Sequence, residues 1–165
     1  SAASDVYKRQ AIRYPRDFAY EYNNNNNFQK IFIGKGKILK KGKRIAFLNL
    51  GTRLKKVLEI NEMIKNHHKL NCTVVDMRFA KPIDTKLIQN LNKTHDIFIT
   101  IEENAIGGFS SQVNDFLINK LNKTPKILNF FMKDEFIDQS DIDDQYNKSG
   151  ISKELIFDKV SMLLK

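Results

Sequence analysis

Val74-Val75-Asp76-Met77-Arg78-Phe79-Ala80-Lys81-Pro82-Ile83-Asp84 is the stretch that decides the fold class. Its first half is the end of an apolar strand running from Cys72 to Met77, which passes through Arg78 to a brake at Pro82. Proline has no N–H for a sheet ladder and a fixed φ, so the strand does not run through it. Asp84 stands where a carboxylate caps a helix, and Leu87, Ile88 and Leu91 follow at helical spacing. The stretch therefore reads as strand, turn and helix, with Pro82 and Asp84 opening the helix.

The same alternation extends outward on both sides. Upstream, Arg44 to Leu50 is a nearly continuous apolar run, which suits a strand covered on both faces of a sheet. Gly51 ends it, and Thr52 is placed to cap a helix whose apolar positions are Leu54, Val57, Leu58, Ile60, Met63 and Ile64. Further upstream, Ile31 to Leu39 is strand-like, with glycines that bend it. Downstream come a strand at Asp96 to Ile101, a helix carrying Val113, Phe116, Leu117 and Leu121, a last strand at Lys126 to Phe131, and a closing helix at Ile151 to Leu164. Strands alternating with helices require crossover connections. The expected fold is α/β, a three-layer α/β/α domain of about five mostly parallel strands with the first as an antiparallel edge. Phe47, Leu48, Val74, Val75, Phe98, Ile99, Ile127 and Leu128 are expected in its core, each contributing roughly 1.5–3 kcal/mol.

Composition narrows the function classes. A chain of 165 residues holds one domain with tails. The net charge of +9 invites a nucleic-acid reading. The lysines, however, are scattered among asparagines, with small knots at Lys35 to Arg44 and at Lys55-Lys56 and no aromatic-plus-basic platform. A Lys-rich solvated surface is the expectation, with no nucleic acid as partner. No apolar run approaches the ~18 residues of a membrane span, so no membrane partner is expected. The first residues lack the basic-then-apolar layout of a secretory signal. The single cysteine, Cys72, excludes an internal disulfide framework and a Cys-based zinc site, and points to a reducing compartment.

Residues 1–10 have no periodicity and join abruptly to Ala11-Ile12-Arg13, and they read as an artefactual or disordered tail. Asn23 to Asn27 has no apolar surface to bury and reads as a flexible linker. The main domain is expected over 28–165.

Four places carry chemistry-bearing residues. Gly34-Lys35-Gly36 lacks the spacing of a dinucleotide or phosphate loop and lies within a strand pattern, so a structural role is expected. His67, His68 and His95 read as surface histidines. Glu102-Glu103-Asn104-Ala105-Ile106-Gly107-Gly108 sits at the carboxyl end of a predicted central strand, just before a helix, which is the ligand edge of open α/β sheets. Free N–H groups at that helix start favour an anion. The alternative is that the glycines relieve crowding and an acidic residue meets the helix dipole. Glu102, Glu103, Asn104, Gly107 and Gly108 are thus a candidate ligand-edge or interface loop. Arg13-Tyr14-Pro15-Arg16 offers planar guanidinium forks suited to phosphate oxygens, the alternative being surface arginines in a tail.

Taken in order, these pieces resemble the 1-deoxy-D-xylulose-5-phosphate synthase family at its carboxyl-terminal end. The match runs through Ala11 to Arg16, Ile33 to Gly36, Asn49 to Thr52 and Thr73 to Asp84. It continues through Thr100 to Gly108, Ser110, Val113-Asn114 and Phe136 to Gln139. The Asp-Met-Arg-Phe-x-Lys-Pro-Ile-Asp and Glu-Glu-Asn-x-x-x-Gly-Gly signatures carry most of it.

The resemblance implies a thiamine-diphosphate- and Mg2+-dependent, transketolase-type transferase. Such an enzyme condenses pyruvate with glyceraldehyde 3-phosphate and releases CO2, at the start of the non-mevalonate isoprenoid route and of thiamine synthesis. It implies that 11–27 is the end of a pyrimidine-binding domain plus linker, and that 28–165 is a transketolase C-terminal-like domain that supports assembly of a homodimer. It gives Arg16 the acceptor's phosphate, although Asp17 stands where the family has Gly. It implies no catalytic residue, cofactor site or metal site within this chain, which is expected to be inactive without the N-terminal and pyrimidine-binding domains. The compartment it implies is a plastid for a eukaryotic source and the cytoplasm for a bacterial one. The alternatives are the same domain of another thiamine-dependent transketolase-like enzyme, or a free-standing, non-catalytic interaction module.

Overall fold

A computed structural model describes Ala11, Ile12, Tyr14 and residues 30–164. The first ten residues, Arg16 and the Asn23 to Asn27 run lie outside the described residues. The chain forms β1 (Lys37–Lys40), β2 (Arg44–Asn49), α1 (Leu54–His68), β3 (Thr73–Asp76), α2 (Thr85–Asn92), β4 (His95–Ile101), α3 (Phe109–Asn119), β5 (Lys126–Phe130), α4 (Ile142–Ser149) and α5 (Lys153–Met162). The sheet has five strands in the order β1-β3-β2-β4-β5. β1 pairs antiparallel with β3 at one edge, and the other three pairings are parallel.

Side-chain alternation along the strands feeds two separate cores. Ile45 and Phe47 of β2, Val74 of β3 and Ile97, Ile99 and Ile101 of β4 pack with Val57, Ile60 and Ile64 of α1 and Ile156 and Val160 of α5. Ala46, Leu48, Val75 and Phe98 point the other way, onto Ile88 and Leu91 of α2 and Phe109, Val113 and Leu117 of α3. β2 has no polar face because both of its faces are covered: Ile45 to Asn49 are all buried.

The chain leaves β2 through α1 towards β3 and leaves β4 through α3 towards β5, so the strand order reverses between β2 and β4. In open α/β sheets such a reversal opens a crevice at the carboxyl ends of the two strands.

Several local expectations differ from the structure. The first strand begins at Lys37, and Ile31, Phe32 and Ile33 before it are exposed rather than paired. Thr52 does not cap α1, because its N-cap is Arg53 and no side chain caps it. Thr52 instead donates its hydroxyl to Glu103. Asp84 caps α2 as expected, accepting from Leu87 N at 3.1 Å, but Pro82 stands before the helix, which starts at Thr85. Ile127 and Leu128 are half-buried because β5 is an edge strand, and Phe130 supplies its buried side chain. α4 had no counterpart in the apolar periodicity, since its segment Ile142 to Ser149 contains mainly polar residues. It forms on caps, with Asp141 Oδ1 accepting from Asp144 N at 2.8 Å and Gly150 closing it in the left-handed region.

His95 is buried, not a surface residue. Its Nδ1 lies 3.0 Å from Leu91 O and its Nε2 2.7 Å from the Thr73 hydroxyl, so the ring is held between α2 and β3. His67 is exposed and His68 half-buried, and both rings lie against Phe157. The Gly34-Lys35-Gly36 segment packs on the start of α2: Asp84 accepts from Gly36 N at 3.2 Å and from Lys35 Nζ at 3.4 Å. Gly34 has φ +69°, and a Cβ there would stand 2.9 Å from Pro82 Cγ.

Candidate functional site

The loop after β4 and the start of α1 meet at the crevice between β2 and β4. Glu102 is fully buried at the end of β4. Its two carboxylate oxygens accept from the first backbone N–H groups of α3: Oε2 from Phe109 N at 2.8 Å and Oε1 from Ser110 N at 2.7 Å. Asn104 Nδ2 adds a third donor to Oε2 at 3.2 Å. The start of α3 therefore meets an anion, and that anion is the chain's own side chain. Gly108 is fixed by the same arrangement, because a Cβ at this position would stand 2.3 Å from Glu102 Oε2. Gly107 has φ +99° and Ile106 is exposed, so the loop turns outward between the two carboxylates and the helix.

Glu103 points the other way. Its Oε1 accepts the phenolic O–H of Tyr146, on α4, at 2.6 Å and also the hydroxyl of Thr52. These bonds tie the end of β4 to the segment after β2 and to α4. Asn104 O accepts from Met132 N at 3.0 Å, which joins the chain beyond β5 to the same loop. Burial first, and the Glu103 carboxylate second, push the Tyr146 hydroxyl's pKa above its ordinary value of 10.0.

Beneath Tyr146 lies Arg53, only 4% exposed. Its guanidinium stacks on the Tyr146 ring, 3.6 Å from the centroid, and Nη2 donates to Ile151 O at 3.1 Å. Its Nε has no hydrogen-bond partner among the described residues. Asn49, buried at the end of β2, donates Nδ2 to Gly51 O at 2.9 Å and shapes the turn that delivers Arg53. A cleft of about 280 Å³ opens beside this cation, lined by Arg53, Lys56, Asp143, Tyr146, Ser152 and Lys153 among others.

Of the residues singled out in the sequence, the structure brings Glu102, Asn104, Gly107 and Gly108 together around the start of α3, and sends Glu103 to Tyr146 and Thr52. Arg16 lies outside the described residues. Arg53, Tyr146 and Lys153 were missed. The available signal for Arg53 was a lone Arg at the start of an apolar helix; for Tyr146, in a polar segment far along the chain, there was none. Among the described residues no group of three or more His, Cys, Asp or Glu side chains is placed to hold a metal ion. Cys72 is buried, and burial raises its thiol pKa to about 12.

Residues 34–156 match the family model of the transketolase C-terminal domain. Among curated proteins, the chain is 47% identical over 137 residues to the 1-deoxy-D-xylulose-5-phosphate synthase of Aliivibrio fischeri, covering 78% of this chain and 21% of that protein. The synthase of Psychromonas ingrahamii is 40% identical over 152 residues, covering 88% of this chain and 23% of that protein. That of Haemophilus influenzae is 38% identical over 153 residues, covering 93% and 23%. The chain thus spans less than a quarter of the length of these relatives. Among solved structures, a split-gene transketolase in an inactive β4 tetramer superposes with a TM-score of 0.74 at 28% identity, over 82% of this chain and 44% of that one. A transketolase from Campylobacter jejuni shares the fold, with a TM-score of 0.51 at 15% identity over 78% of this chain and 18% of that one.

Proposed function

This chain belongs to the transketolase C-terminal domain family, and on that premise we propose that it is the carboxyl-terminal lobe of a thiamine-diphosphate-dependent 1-deoxy-D-xylulose-5-phosphate synthase. The observation that carries this reading is the identity of up to 47% to synthases from several bacteria, against 28% to a transketolase of the same fold. The parent enzyme condenses pyruvate with glyceraldehyde 3-phosphate and releases CO2. Residues 11–27 are the end of its pyrimidine-binding domain with a linker, and 28–165 are the C-terminal domain. Arg16 takes the phosphate of the acceptor, where a guanidinium fork meets a dianion. The compartment follows the source, cytoplasm in a bacterium and plastid in a eukaryote.

The described residues offer no set of ligands for the cofactor's metal. When bound in the parent enzyme, thiamine diphosphate with Mg2+ supplies a carbanion to the donor substrate. Here no three metal-ligating side chains converge among the described residues. Glu102, fully buried, is committed to the start of α3. No step of the reaction is therefore assigned to these side chains. Their role is assembly with the two preceding domains and with a second copy of the enzyme. Support comes from the large apolar side chains left at the surface: Ile31, Phe32 and Ile33 are 60%, 60% and 78% exposed, and Ile106 is 68% exposed.

The test is reconstitution. The purified chain is mixed with a separately produced chain carrying the other two domains, with thiamine diphosphate and Mg2+ present. Release of CO2 that depends on both pyruvate and glyceraldehyde 3-phosphate is expected from the mixture and from neither part alone. Turnover by this chain alone would sink the assembly role. In the reconstituted enzyme Arg16→Ala should raise KM for the acceptor with little change for pyruvate; equal effects on both would remove Arg16 from the phosphate site.

A further inference from the structure

We propose that the cleft between the starts of α1 and α5 binds a small phosphate-bearing anion. This rests on the cleft's own residues and not on the identity of the parent enzyme.

Four observations converge there. The first is the buried cation. Arg53 is only 4% exposed, its Nε has no partner among the described residues, and the hydrogen bond found for it goes to a neutral carbonyl, Ile151 O. A buried guanidinium without a carboxylate is costly, and stacking on Tyr146 offsets only part of that cost. The second is the pair of helix starts. Arg53 and Ser152 are the N-cap residues of α1 and α5, and among the described residues neither start has a side-chain cap bond. Arg53 and Ser152 both line the cleft, so the starts of two helices, the positive ends of their dipoles, lie at its wall. The third is the surrounding charge. Lys56 and Lys153 line the same space. Asp143 and Glu154 also line it, with Asp143 Oδ1 4.0 Å from Lys56 Nζ and Glu154 Oε1 3.7 Å from Lys153 Nζ. Glu59, from α1, also accepts from Lys153 Nζ at 3.2 Å, so both lysines are met by carboxylates, and Arg53 is the cation of the lining with no ion pair among the described residues. The fourth is position. The cleft adjoins the reversal of strand order between β2 and β4, the place where open α/β sheets bind ligands.

The size of the cleft selects a small occupant. About 280 Å³ lies below the usual range for drug-sized ligands. The lining is mostly polar and includes the buried guanidinium of Arg53, which suits a phosphate group, inorganic or on a short ester, better than an apolar molecule.

The experiment is a proton–nitrogen NMR titration of the full chain with inorganic phosphate. Ionic strength is held constant with potassium chloride, because surface lysines respond to salt. Saturating shifts are expected at the Arg53 Nε–H and at the backbone N–H groups of Lys153 and Glu154. Lys56→Ala should weaken the binding and Asp143→Asn should tighten it, each by roughly three- to five-fold. Both side chains sit partly or largely in solvent, at 34% and 80% exposure, so the fold survives their replacement. A parallel titration with glycerol 3-phosphate separates the two sources: tighter binding of the ester assigns the site to a small organic phosphate, and equal binding to phosphate itself. Shifts that rise without saturating, or a saturation that neither variant changes, would overturn the proposal.

Discussion

Two loops at the same edge of the sheet handle charge in opposite ways. After β4, the buried Glu102 is surrounded by donors: two helix N–H groups and an amide side chain satisfy it. After β2, the buried Arg53 has an aromatic face, one carbonyl and an unpartnered Nε. The first charge is consumed in building the fold, and the second is left with unused hydrogen-bonding capacity. The ends of central strands are where a ligand is expected in such a sheet, yet position alone does not separate the two. The hydrogen-bond inventory does: the carboxylate is saturated by its own chain, whereas the cation keeps a donor, Nε, that no described residue fills.

The largest expected effect tests the saturated side. Glu102→Ala leaves two buried helix N–H groups without acceptors, at about 1–3 kcal/mol each. The chain should lose about 3 kcal/mol or more of unfolding free energy in a urea melt. A loss below about 1 kcal/mol would mean that water reaches the start of α3, and the contrast with Arg53 would collapse.

Gly108→Ala comes next. Its Cβ would stand 2.3 Å from Glu102 Oε2, so either the carboxylate or the loop must shift, at about 2 kcal/mol. The double variant with Glu102→Ala sharpens the point. Once the carboxylate is gone the added methyl has room, and the combined loss should fall clearly short of the sum of the two single losses. Strict additivity would separate Gly108 from Glu102.

The sequence made the sheet legible because a strand buried on both faces has no polar alternation: Ile45 to Leu48 and Val74-Val75 are continuous apolar runs, and they occupy the middle of the sheet. The Asp84 cap was legible for a different reason, since proline and a short acid before an apolar periodicity leave few local alternatives. What the sequence could not rank was strand order, so Ile127 and Leu128, as apolar as Phe98 and Ile99, were not recognisable as edge residues. The Glu102 loop was found by its glycines, but its two readings were separable only by seeing where the carboxylate went. Arg53 and Tyr146 were illegible as a pair, because their contact depends on α4, a helix made by its caps and not by an apolar stripe.

That dependence is open to test on the unsaturated side. Asp141→Ala removes the N-cap of α4 and should cost about 1 kcal/mol. The loss should be local. Hydrogen exchange should quicken in α4 while the sheet amides keep their protection, and the Arg53 Nε–H resonance should move as the Tyr146 ring leaves it. An unmoved resonance would show that Arg53 is held by Ile151 O alone.

The smallest effect separates Tyr146's two roles, as a ring over Arg53 and as a donor to Glu103. Tyr146→Phe keeps the ring and removes the hydroxyl, so near neutral pH it should cost only about 0.5 kcal/mol. Its signature is in the pH dependence. Burial and then the Glu103 carboxylate raise the hydroxyl's pKa in the folded chain above its ordinary value of 10.0. Below that value the tyrosine is protonated whether the chain is folded or not, and its contribution is complete. As pH rises past it, the unfolded chain releases the proton while the folded chain retains it, so the unfolded state binds fewer protons and stability falls. Melting temperatures measured from about pH 8 upwards should therefore decline more steeply in the wild type than in Tyr146→Phe, with the divergence beginning near pH 10.0. Parallel curves would mean that the hydroxyl is neither buried nor held against Glu103, and that α4 is not tied to the end of β4 through it.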